Sequence, residues 1–85
     1  MDFARVVGFL SDALQDRPGS ERGLSPDELY GLYTSWCLMN DAIIESPDTL
    51  WAALRTWGID PARNHLAMKG PAAVDYIIAS APDII

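Results

Sequence analysis

Cations are scarce in this chain of 85 residues, with six Lys and Arg against twelve Asp and Glu and a formal net charge of −6. Nucleic-acid binders draw much of their affinity from phosphate neutralisation, so the balance weighs against DNA and toward solubility and basic partners. Cysteine is almost absent. Cys37 stands alone, which excludes an internal disulfide and a thiolate zinc site and fits a reducing, cytoplasmic setting. His65 is the one histidine, and no nucleophile, base and orienting group can be assembled by spacing. The chain has no glycine-rich phosphate loop, no metal-ligand spacing and no apolar run of the roughly 18–20 residues that span a bilayer. Its first residues, Met-Asp-Phe-Ala-Arg, lack the basic and apolar regions of a signal peptide. The expectation is a non-enzyme without cofactor or metal and without a membrane role.

What is present is a globular composition, 49% apolar with three Trp, three Tyr and two Phe, enough for one small domain over residues 1–85. Residues 2–16 read as a first helix capped by Asp2, with Phe3, Val6, Val7, Leu10, Ala13 and Leu14 on one face. Arg17 to Gly23 is a solvated loop of Pro, Gly and polar residues. Ser25-Pro26-Asp27-Glu28 is the strongest local signal: an N-cap, a proline at the first helical position, and Glu28 completing a capping box. Leu29, Leu32 or Tyr33, Trp36, Cys37 and Asn40 track one face of that helix, which ends near Asn40-Asp41. In the link that follows, Ile43 and Ile44 are expected to plug the core.

A further helix runs from Ser46 to Gly58. Ser46 is its N-cap, Pro47 its first residue and Gly58 its C′ residue. Leu50, Leu54 and Trp57 share a face with Trp51, and Asp48, Thr49, Ala52 and Arg55 take the other. Trp36 and Trp51 are expected to be buried and in contact. Beyond Gly58, His65 to Met68 reads as a strand, Lys69-Gly70-Pro71 as a turn, and Ala72 to Ile78 as a returning β-branched strand. Ile84 and Ile85 are expected to tuck against the hairpin or the first helix.

Helix, loop, capped helix, link, capped helix and hairpin is the order of an α+β, mostly helical winged helix-turn-helix, three helices plus a C-terminal β-hairpin. Leu29-Tyr30, Tyr33, Trp36-Cys37, Ser46, Leu50-Trp51, Ala53-Leu54 and Gly58 together resemble the C-terminal winged-helix domain of phage and plasmid primase-helicases. The resemblance covers about 34 residues, mostly core positions, and implies a stand-alone, acidic version of that module, encoded by a phage or mobile element. It further implies DNA contact through Asp48, Thr49, Ala52 and Arg55 and through a wing at Lys69. Where that family carries basic residues after the serine cap, this chain has Pro47, Asp48 and Thr49. The favoured reading is therefore a small non-catalytic module that binds a protein partner. The alternative is a DNA-binding protein using the 46–58 helix and a patch of Arg55, Arg63, His65 and Lys69, with Arg5, Arg17 and Arg22 lying away from it. The sequence leaves the oligomeric state open.

Overall fold

The computed structural model describes residues 3–19 and 23–80. Among these described residues it is a mostly helical α+β arrangement of four helices and a two-stranded sheet. Their order is α1 (Phe3–Ala13), β1 (Leu14–Asp16), α2 (Pro26–Met39), α3 (Pro47–Thr56), β2 (Leu66–Met68) and α4 (Gly70–Ser80). The expected cap at Asp2, the loop residues Ser20 to Arg22 and the terminal Ile84 and Ile85 lie outside the described residues.

α2 is the centre of the molecule. Its capping box forms as the sequence predicts: Ser25 Oγ accepts from the Glu28 N–H (3.1 Å) and Glu28 Oε1 from the Ser25 N–H (3.0 Å). Leu29, Leu32, Tyr33, Trp36 and Cys37 are all buried. The C-terminus closes at Asn40, with Asp41 in the left-handed region (φ 52°) and the Ala42 N–H donating back to the Cys37 carbonyl (2.8 Å). That six-to-one bond satisfies a carbonyl that the helix itself cannot. α3 ends in the same way. Gly58 has φ 76°, its N–H donates to the Arg55 carbonyl, and the Ile59 N–H donates to the Leu54 carbonyl, each at 3.0 Å.

The aromatic core is a chain of tilted and edge-on rings. Trp36 meets Phe9 at 5.9 Å, Phe9 meets Tyr33 at 5.4 Å, Tyr33 meets Tyr30 at 6.0 Å and Tyr30 meets Trp51 at 6.3 Å. Trp36 is buried, but Trp51 is only half-buried and packs on Tyr30 from the rim. α1 faces inward through Val6, Phe9 and Ala13; Val7, expected inside, is 42% exposed. Phe9 is fully buried, and the helix is rotated to bring it onto the rings of α2. Trp57 is the C-cap of α3, beyond the last helical turn, and it stays 47% exposed instead of joining Leu50 and Leu54 in the core.

Three other expectations need correction. The first helix stops at Ala13, and Leu14–Asp16 is extended. Pro18 disfavours helical backbone at Arg17, and the extended stretch finds a partner in β2. The link between α2 and α3 is not held by its isoleucines, which are 66% (Ile43) and 40% (Ile44) exposed. It is held by its backbone. The Tyr30 hydroxyl donates to the Glu45 carbonyl (2.8 Å), the Tyr33 hydroxyl accepts from the Glu45 N–H (3.1 Å), and it donates to the Ile43 carbonyl (3.4 Å). Finally, Ala72 to Ile78 is not a strand and there is no C-terminal hairpin among the described residues. β2 pairs antiparallel with β1, Leu14 opposite Met68 and Asp16 opposite Leu66, and residues 70–80 form α4. Gly70 (φ 77°) turns the chain beside the end of α1, Pro71 suits a first turn, and Ala72 and Ala73 favour the helix. Those alanines are buried, and α4 lies close against α2, where the Tyr76 ring occupies the space beside Gly31 that a Cβ would need.

Candidate functional site

The residues expected to contact a partner fall on three places. Asp48, Ala52 and Arg55 are exposed on the outward face of α3. Thr49 belongs to the cap: its N–H donates to Ser46 Oγ (3.3 Å) and the two hydroxyls pair at 2.9 Å. Arg63 and His65 line a cleft of about 510 Å³ at the start of α2, together with Ser25, Pro26 and Asn64. Arg55 is not part of that lining. Lys69 sits between β2 and α4, where its N–H donates to the Ala13 carbonyl (2.8 Å).

The fold adds one cation that the sequence had set apart. The Arg17 N–H donates to the His65 carbonyl (2.7 Å), and Arg17 lines an adjoining cleft of about 520 Å³ that shares Gly23 and Leu24 with the first. The end of β1 thereby brings Arg17 beside His65. Yet this corner is a poor anion site. The capping box already takes two of the donors that an anion would use at the α2 N-terminus, the N–H groups of Ser25 and Glu28, and Asp27 and Glu28 place two carboxylates in its first turn. Asn64 is equally committed: its Oδ1 accepts from the Leu24 N–H (2.9 Å) and its Nδ2 donates to the Leu24 carbonyl (3.0 Å).

The interior offers little reactive chemistry. Cys37 is buried, and burial pushes its thiol up, away from the thiolate that a nucleophile requires. Burial likewise pushes the Tyr33 phenol up to about 12. Among the described residues no group of three His, Cys, Asp or Glu could hold a metal ion. None of the described helices is long and apolar enough to cross a membrane.

The most distinctive surface lies on α4. The inward side of this helix is Ala72, Ala73 and Tyr76. The outward side carries Val74, Ile77 and Ile78, which are 58%, 57% and 70% exposed. Spaced i, i+3, i+4, they form one apolar stripe on a helix about 16 Å long, and Asp75 is the helix's sole charge. A helix that is apolar all round is normally covered on all sides. Fully burying a Val or Ile contributes about 1.5–3 kcal/mol, so covering what remains exposed would add roughly 1–2 kcal/mol per side chain. Sequence reasoning missed the stripe because a strand puts residues 74, 76 and 78 on one face, whereas the helix turns Tyr76 in and Ile77 out. Pro71 followed by two alanines was the signal that could have found it.

Compared with protein-family models, curated proteins and solved structures, the chain matches none of them.

Proposed function

We propose that this chain is a small non-catalytic module, derived from a helix-turn-helix, that acts by binding a protein partner. The observation carrying this reading is the uncovered apolar stripe of α4. The α1, α2 and α3 helices stand for the helical part of a winged helix, and the β1–β2 pair and α4 take the place of the hairpin wing. The reading keeps the phage or mobile-element origin and the cytoplasmic setting that the sequence suggests.

The second reading, DNA binding, is favoured by one observation, the meeting of Arg17 with His65 beside Arg63. Its magnitude is against it. Even if Arg17, Arg55, Arg63 and Lys69 all reached phosphates, the salt slope would be about −3.6, well short of a protein making six to ten contacts. Titrating the full chain against a random duplex pool at ~150 mM salt, alongside Arg55→Ala and Arg63→Ala, decides between the two. Binding that is absent or weak and non-selective is expected. Sequence-selective nanomolar binding that either substitution abolishes would overturn the protein-partner reading.

A further inference from the structure

The stripe on α4 also limits what can cover it. We infer that it receives an amphipathic helix of a partner protein, one that carries Lys or Arg beside its own apolar stripe. This rests on the protein-partner reading above and specifies the chemistry of the partner.

The spacing sets the shape: Val74, Ile77 and Ile78 form a short ridge of the kind that packs into the groove of another helix, and they span just over one turn of α4. An extended strand would need an open sheet edge, which α4 does not present. Charge sets the border. Asp75 flanks the stripe on the helix itself, and Glu28, whose Oε1 also closes the capping box, lies with Ile77 along one cleft; Asp12, which accepts from the Trp36 indole, lies near the start of α4 with Pro71 and Ala72. Two cations are nearby: Arg17 lines the cleft of Glu28 and Ile77, and Lys69 immediately precedes the helix. The carboxylates outnumber them, in a chain of net charge −6. A second copy of the chain would set Asp75 and its acidic surroundings against themselves, and a helix with basic flanks would be paired by them. The expected complex is weak and salt-sensitive, because the apolar area is small and the charges are exposed.

The test is a calorimetric titration of the full chain with two designed helical peptides of about three turns or more. Both carry the same leucine stripe, flanked in one by Lys and in the other by Glu. The expected result is micromolar binding of the Lys peptide, at least about tenfold tighter than the Glu peptide, and weaker as salt rises. Ile78→Asp should weaken that binding by about tenfold or more, and Asp75→Lys should reverse the preference between the peptides. Ile43→Asp, at an equally exposed isoleucine on the α2–α3 link, should leave it unchanged. Equal affinity for both peptides, no binding of either, or indifference to Ile78→Asp would overturn the inference. So would a dimer in sedimentation that Ile78→Asp dissociates. These failures differ from failure of the underlying reading, which is marked by selective nanomolar DNA binding lost in Arg55→Ala or Arg63→Ala.

Discussion

Gly31→Ala is the substitution that most sharply probes how α4 sits on α2. By propensity alone it should stabilise the helix interior by about 0.8–1.0 kcal/mol. In the fold the new methyl would collide with the Tyr76 ring, whose Cε1 and Cδ1 already fill that space. Overpacking of this kind costs about 1–3 kcal/mol, paid in part by swinging the half-buried ring toward solvent. The net expectation is destabilisation of about 1 kcal/mol, or roughly 4–8 °C in Tm for a domain of this size. The sign should reverse once the ring is gone. In a Tyr76→Ala background, Gly31→Ala should stabilise by nearly the whole propensity term, so the cycle has a coupling energy of about 1–3 kcal/mol. Urea denaturation of the four proteins of the cycle measures it. If Gly31→Ala stabilises the parent as much as the Tyr76→Ala variant, the two sites are independent and α4 does not lie where it is described.

Ser25→Ala should destabilise by roughly 1 kcal/mol, with a smaller loss for Glu28→Ala, read as shifts of the urea midpoint at constant slope. Trp36→Ala should cost about 3–5 kcal/mol, since it removes a buried ring and leaves Asp12 Oδ2 without its indole donor at 3.1 Å; Trp51→Ala, at the rim, should cost distinctly less by the same assay. For Tyr33 the sign follows from a folded-state pKa raised above the unfolded value of 10.0 to about 12. The unfolded chain ionises first, so stability is intact below pH 10 and is lost between pH 10 and 12, by up to about 3 kcal/mol. Denaturation midpoints across that window should fall more steeply for the parent than for Tyr33→Phe, and parallel curves would count against a buried phenol.

Local signals with their own chemistry were legible in the sequence. The box at Ser25 and Glu28, the N-cap at Ser46 and the stop at Gly58 depend only on residues within one turn, and each forms as read. What was not legible depends on distant residues. Nothing near Leu14 announces that it will pair with Met68, 54 positions along the chain. The isoleucines of the link look like core residues until the Tyr30 and Tyr33 hydroxyls are seen to take its backbone instead. Residues 72–78 are β-branched and aromatic enough for a strand. The buried small side chains Ala72 and Ala73, and the bare Gly31 that admits the Tyr76 ring, make close helix–helix packing the better solution, and composition alone does not weigh that. The candidate site moved with this one element: the seven positions read from the sequence, six of them polar, are dispersed, and the apolar stripe appears only once α4 is a helix.

The central claim is that α4 is the binding surface, and amide chemical-shift mapping of the full chain with the Lys-flanked peptide tests it most directly. The account predicts shifts concentrated at residues 73–79, with the Glu28 and Asp12 neighbourhoods at the margin, and little change along α3. Shifts centred on Asp48, Ala52 and Arg55, with residues 73–79 unmoved, would contradict it.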